Sequence, residues 1–206
     1  MGTIIRSYIR IKDHKAWLNG QAIDLNTEEH PFLKALYKHL KLKYPKFYKM
    51  DELSKLGFIA SELLLQNNNM KSILDNLDLD RVGIVLQNAD STIDVDSDFY
   101  DSIIDEKNHF PSPALFVYTL PNIVLGEISI RNKFKGENAL FVFEKYQAEF
   151  GVNYINSLFE KNKIDACIGG WFNAKGGGYD AFLYFVEGSQ DADNEHEVEN
   201  ILNKFL

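Results

Sequence analysis

The run Arg81-Val82-Gly83-Ile84-Val85-Leu86-Gln87 decides the fold class. Val82 to Leu86 are apolar without a break. A strand with one face in water alternates polar and apolar residues. A short unbroken run suits a strand covered on both faces, as in a parallel sheet. Ile164 to Gly169 has the same character, and Ala139 to Phe143 reads as a further strand. Helical spans separate these runs. Asp51 to Leu65 places Leu53, Leu56, Ile59, Ala60, Leu63 and Leu64 at helical spacing. Ala114 to Arg131 reads as a helix with a kink or restart at Pro121, and Gln147 to Lys161 as another. Strands alternating with helices predict an α/β domain with a mostly parallel sheet and helices on both faces.

Toward the amino terminus, Thr3 to Ile11 reads as the first strand. Asn19-Gly20 between Ala16-Trp17-Leu18 and Gln21-Ala22-Ile23 is a two-residue hairpin signal. Thr27 is placed to cap a helix reaching about Tyr44, with Pro31 in its first turn and Leu33, Leu36, Tyr37 and Leu40 on one face. Gln66 to Asn69 reads as polar punctuation. Asn88 to Asn108 reads as an acidic loop followed by a short helix, and Phe110-Pro111-Ser112-Pro113 as a break. Toward the carboxyl terminus, Gly176-Gly177-Gly178 turns the chain into a last strand, Ala181 to Val186. Asp191 or Asp193 then caps a final helix ending at Leu206.

A chain of 206 residues with 45% hydrophobic content supports one sizeable core, read here as one domain spanning 1–206. Net charge is −8, which argues against nucleic acid as the main partner. The apolar runs are too short to cross a bilayer, and the first residues do not have a signal-peptide layout. The single cysteine, Cys167, allows no intrachain disulfide and no cysteine-based zinc cluster. These features lead to the expectation of a cytoplasmic protein.

Several motifs occur in a telling order. They are Met50-Asp51-Glu52-Leu53-Ser54-Lys55-Leu56, Arg81-Val82-Gly83-Ile84-Val85, and Leu120-Pro121-Asn122 with Gly126-Glu127-Ile128-Ser129-Ile130. Gly136-Glu137-Asn138 and Ile164-Asp165-Ala166-Cys167-Ile168-Gly169-Gly170 follow. In that order they resemble the amino-terminal half of a β-ketoacyl synthase of the thiolase superfamily. Glu137 stands where that family usually has proline, and the likeness is weakest before Pro45. The resemblance implies a thiolase-like half with a five-stranded sheet, order 3-2-1-4-5, the last strand antiparallel.

It also implies a place for the catalytic cysteine, seven positions after the asparagine of the Gly-Pro-Asn motif. Counting from Asn138 reaches Lys145, in Phe143-Glu144-Lys145-Tyr146-Gln147. No cysteine, serine or threonine is present there. A lysine beside a glutamate is normally protonated and is not a nucleophile. It reads as solvated or ion-paired, or else as a cation for a carboxylate or a phosphopantetheine phosphate, or last as a Schiff-base lysine. Cys167 lies within an apolar run, where cysteine behaves as a small hydrophobe. Condensation is therefore not expected, and the catalytic-residue assignment is none. His14, His30, His39, His109 and His196 form no metal-spaced pair, and His109 reads as a surface or capping residue. Gly176-Gly177-Gly178 lacks the Lys-Ser/Thr ending of a phosphate loop. Asp90, Asp94, Asp96 and Asp98 lack the glycine and glutamate of a calcium loop. No metal or other cofactor is expected.

Two surfaces stand out. Lys34, Lys38, Lys41, Lys43, Lys46 and Lys49 cluster against the negative total and would suit an acidic acyl carrier protein. The plainer reading is a helix carboxyl terminus and a solvated connection, both of which favour lysine. Leu140, Phe141, Val142 and Phe143, with Phe150, Tyr154 and Leu158 of the following helix, mark a dimer or partner surface. The functional expectation is a non-catalytic ketosynthase-like subunit in acyl-carrier-dependent fatty acid or polyketide and pigment assembly. It would work as a homodimer or as a heterodimer with a full-length ketosynthase. The alternatives are a stand-alone dimeric acyl-chain-binding or scaffold protein, and a residual decarboxylase or thioesterase.

Overall fold

The computed structural model describes residues 2–25, 29–66, 68–104, 110–189 and 195–206. The roles read for Thr27, His109, Asp191 and Asp193 lie outside the described residues.

The strands are β1 (Gly2–Lys12), β2 (Lys15–Leu18), β3 (Gln21–Ala22), β4 (Val82–Asn88), β5 (Asn138–Val142), β6 (Ala166–Lys175) and β7 (Gly178–Ser189). They form one sheet of seven strands in the order β3-β2-β1-β7-β6-β4-β5. The expected count of five and the order 3-2-1-4-5 are both corrected. Taken as strands one to five, β1, β4, β5, β6 and β7 run 3-2-4-5-1. Only β4 with β5 and β4 with β6 pair parallel, so the sheet is mixed rather than mostly parallel. The last strand, β7, is antiparallel to both neighbours, as expected.

The physical reason lies in the strands themselves. Every residue of β4 is buried, as are the first seven of β6, so these two take central places. β6 and β7 form a long hairpin through Gly176 and Gly177, at φ +56° and +81°. β1 carries Arg6, Arg10 and Lys12 and is covered less completely, so it lies on the far side of β7. The β2–β3 hairpin extends that edge. Its turn is the predicted Asn19-Gly20, with φ +50° and +79° and Leu18 opposite Gln21.

The helices are α1 (Phe32–His39), α2 (Glu52–Leu65), α3 (Asn68–Asp75), α4 (Ile93–Asp101), α5 (Pro113–Tyr118), α6 (Ile123–Asn132), α7 (Ala148–Glu160) and α8 (Val198–Phe205). α1 stops at His39, short of Tyr44. α3 begins inside the stretch read as punctuation. The expected helix around Pro121 is two helices, α5 and α6. Asp51 caps α2, accepting from the backbone N–H groups of Leu53 and Ser54 at 3.1 and 3.2 Å. All of α2 except Glu52 and Lys55 is buried, well beyond the apolar positions at helical spacing. It is wrapped by the sheet on one side and by α1 and α6 on others.

Alternation along the strands divides the core in two. Ile84, Leu86, Ile168, Leu183 and Phe185 point toward α2 and α6. Val85, Cys167, Phe182, Tyr184 and Val186 point toward α7 and α8. Helices cover both faces of the sheet.

Candidate functional site

The motifs read in the sequence place backbone against backbone. At Gly136 a Cβ would stand 2.6 Å from the Val82 carbonyl carbon, so the chain can enter β5 beside β4 only as glycine. The Gly136 N–H donates to Val82 O at 3.1 Å, and Ile84 N–H to Glu137 O at 2.7 Å. Glu137 accepts from the Tyr154 hydroxyl at 3.1 Å. The Asn138 amide donates to the Ser129 hydroxyl at 3.1 Å. In Gly126-Glu127-Ile128, Glu127 is buried. It accepts from the Tyr44 hydroxyl at 2.8 Å and forms an ion pair with Lys46. Burial, then this carboxylate, pushes the Tyr44 phenol up to about 12.

β5 delivers the chain to a turn, Phe143 to Gln147, that leads into α7. This turn is pinned from below by Gln87 of β4. Gln147 N–H donates to Gln87 Oε1 at 2.8 Å, and Gln87 Nε2 donates to Gln147 O at 3.0 Å. Gln87 is buried, and a Cβ on Gly151 of α7 would come within 2.7 Å of its amide nitrogen. Lys145 rides on this turn, exposed, and among the described residues it has no ion-pair partner. Glu144 is exposed beside it.

Beneath the turn lies a layer of aromatic side chains. Tyr146 packs on Trp171, Phe182 and Phe205 with ring centroids 5.0 to 6.2 Å apart. Its hydroxyl and the Trp171 indole nitrogen are buried without a hydrogen-bond partner among the described residues. Deeper still, the Tyr184 hydroxyl meets His196 Nε2 at 2.9 Å, and His196 Nδ1 meets Asn156 Oδ1 at 2.8 Å. The Asn156 oxygen can only accept, so Nδ1 carries the proton and Nε2 accepts from Tyr184. Burial pushes the His196 imidazole down to about 4. Gly169 makes room for Tyr184, since a Cβ there would touch its hydroxyl oxygen at 2.5 Å. The glycine pair of the Ile168-Gly169-Gly170 motif thus serves side-chain and hairpin packing.

Cys167 is completely buried and burial pushes its thiol well above the ordinary range. A thiol that stays protonated and sealed is a poor nucleophile.

The sequence-derived surfaces separate. Leu140, Phe141 and Phe143 are half-buried at the free edge of β5, and Val142 is 53% exposed. Phe141, Phe143, Phe150 and Tyr154 form one aromatic group, with Phe141–Phe150 at 4.7 Å and Phe143–Phe150 at 5.0 Å. Leu158 does not belong to it. That side chain faces the sheet, 7% exposed, because the inward face of α7 runs through Val152, Ile155 and Leu158. Of the lysines, Lys46 is paired with Glu127, and Lys49 lines a cavity of about 240 Å³ that it shares with Asp51, Asp94 and Asp98. Lys38, Lys41 and Lys43 are exposed, and Lys34 is half-buried. Among the described residues no group of three or more His, Cys, Asp or Glu could hold a metal, and no helix is long and apolar enough to cross a membrane.

The sequence reading missed Gln87 and His196. Gln87 ends an apolar run and His196 sits among acidic residues, so neither carried a spacing signal.

No family model matches the chain, and no curated protein matches it. Solved structures do. The ishigamide ketosynthase/chain length factor aligns with TM-score 0.69 and 15% identity, over 94% of this chain and 64% of that one. The ketosynthase structure AntDE:AntF, a type II polyketide synthase acyl-carrier protein in complex with its ketosynthase, aligns with TM-score 0.62 and 15% identity. That match covers 91% of this chain and 62% of the other. A β-ketoacyl synthase from Burkholderia phymatum aligns with TM-score 0.55 and 10% identity, over 92% of this chain and 59% of that one. The chain therefore spans less than two thirds of the length of these structures. What the arrangement of sheet, helices and turn establishes is that the chain has the fold shared by ketosynthases and chain length factors.

Proposed function

We propose that this chain is a non-catalytic ketosynthase-like subunit that pairs with a full-length ketosynthase in acyl-carrier-dependent assembly of a fatty acid, polyketide or pigment. On this reading residues 1–206 act as a single domain like the amino-terminal part of a β-ketoacyl synthase. The observation that carries the proposal is the turn after β5. It is held by paired hydrogen bonds to Gln87, yet it presents the exposed Lys145 in place of a nucleophile. The one cysteine is sealed in the core. Acyl transfer needs an accessible, activated nucleophile, so the retained turn is a scaffold for assembly rather than for chemistry.

The pairing surface is the free edge of β5 with Phe141, Val142, Phe143, Phe150 and Tyr154. A free edge strand with an exposed Val142 beside partly exposed aromatic side chains invites a second strand. Lys38, Lys41 and Lys43 suit an acidic carrier protein as a further partner. Co-expression with a full-length ketosynthase and a carrier protein tests this. A stable complex is expected, with condensation dependent on the partner's nucleophile alone. A chain that forms only its own dimer and ignores every ketosynthase offered would overturn the heterodimer reading.

A further inference from the structure

We propose that the groove between the β1–β2 hairpin and α8 is a binding site for a nucleotide-type ligand, a phosphate group attached to a flat ring. The groove has a volume of about 400 Å³ and is lined by Tyr8, Arg10, Lys12, Lys15, Trp17 and Lys204. Strand register explains the composition. Tyr8, Arg10 and Lys12 alternate onto one face of β1, and Trp17 and Lys15 are their neighbours on β2, opposite Arg10 and Lys12. The opposite face of β1 sends Ile9 and Ile11 into the core, so these five side chains share the other face, where Tyr8 packs against the second buried cluster and Arg10 lies under Phe205 of α8.

The lining has the sign opposite to the molecule. The chain has 30 Asp and Glu against 22 Lys and Arg, yet the groove is lined by Lys12, Lys15, Lys204 and an Arg10 already paired with Asp180, against one carboxylate side chain, Asp13. Arg10 forms the fixed floor. Its guanidinium pairs with Asp180, donates to Phe205 O at 2.9 Å and lies 4.8 Å over the Phe205 ring. The Lys204 ammonium lies 5.8 Å over the Tyr8 ring. Among the described residues Lys12 and Lys15 form no ion pair, which leaves their charge available at the groove they line, while the Lys204 ammonium is engaged by the Tyr8 ring.

The chemistry selects the ligand. Ammonium groups exclude a metal cation and penalise a bare hydrocarbon. A small inorganic anion would leave the half-buried Trp17 ring unused. An anion with an attached flat ring uses both halves, through charge-assisted hydrogen bonds and ring stacking. This site is independent of the turn at Lys145 and of the pairing edge.

Titration of the intact chain with ADP tests it, followed by calorimetry and by tryptophan fluorescence. Trp171 is buried, so a fluorescence change reports chiefly on Trp17. Saturable quenching is expected. Lys12→Glu/Lys15→Glu should weaken binding at least about tenfold, and adenosine and pyrophosphate should each bind at least about tenfold more weakly than ADP. If the charge reversal does not fold, Lys12→Gln/Lys15→Gln replaces it with the same expected direction. Absence of saturable ADP binding, or an unchanged affinity in the folded variant, overturns the site. Pyrophosphate binding as tightly as ADP overturns the ring requirement. Tighter binding of polyglutamate than of ADP overturns the nucleotide and marks the groove as a face for an acidic protein.

Discussion

His196 Nε2 accepts the Tyr184 hydroxyl at 2.9 Å, and this joins the segment before α8 to the centre of the sheet. Asn156 of α7 holds the other ring nitrogen at 2.8 Å. Three elements therefore meet on one imidazole, which must stay neutral to accept from a phenol.

That requirement makes the fold acid-sensitive. Burial lowers the His196 pKa from 6.5 to about 4. The unfolded chain takes up the proton first, so this contribution is complete above pH 6.5 and is lost as pH falls toward 4. It amounts to about 3 kcal/mol. Urea unfolding at stepped pH should show the loss in that window, and His196→Gln should remove most of this part of the slope.

The two glycines Gly170 and Gly126 should respond oppositely to alanine. At Gly170 φ is +142° and a Cβ would meet Phe182 O at 2.0 Å. Gly170→Ala should cost more than about 3 kcal/mol or prevent folding, because backbone cannot yield as a side chain does. Gly126 lies within α6 with nothing within 4 Å of a Cβ. Gly126→Ala should stabilise by about 0.5–1 kcal/mol through helix propensity. Thermal melts of the pair check both.

Gln87→Leu should loosen the turn after β5. It removes both hydrogen bonds to Gln147 and leaves that backbone N–H without a partner, while its C=O keeps the Gly151 N–H. A cost of about 1–2 kcal/mol follows. Amide exchange should accelerate at Gln147 more than in β4 itself.

Lys145→Ala should change stability by less than about 0.5 kcal/mol, as an exposed side chain with no ion pair among the described residues should. Neither this variant nor Cys167→Ala should alter turnover by the purified chain, which is expected to be nil. Turnover abolished by Cys167→Ala would show that the buried thiol reacts after all.

Val142→Lys should weaken association of the β5 edge without unfolding the chain. Val142 is 53% exposed, and a lysine on an edge strand opposes strand addition. Light scattering at micromolar concentration should show the wild type above monomer mass and the variant shifted toward it.

Residue pattern alone determined much of this protein. The apolar run at Val82 to Leu86 marked a strand covered on both faces, Asn19-Gly20 marked a hairpin, and Asp51 marked the start of α2. Each is a local property, set by side-chain periodicity, positive φ or an N-cap oxygen. Tertiary structure decided what depends on distant partners. β1 lies beyond β7 because the β6–β7 hairpin occupies the place beside β4, a competition between strands far apart in the chain. Leu158 faces inward because the sheet fixes the rotation of α7. Gln87 and His196 gain their roles only where β4 meets the turn and where Tyr184 and Asn156 converge. A hydrogen bond between residues widely separated in sequence leaves no periodicity to read, so only the folded chain discloses it.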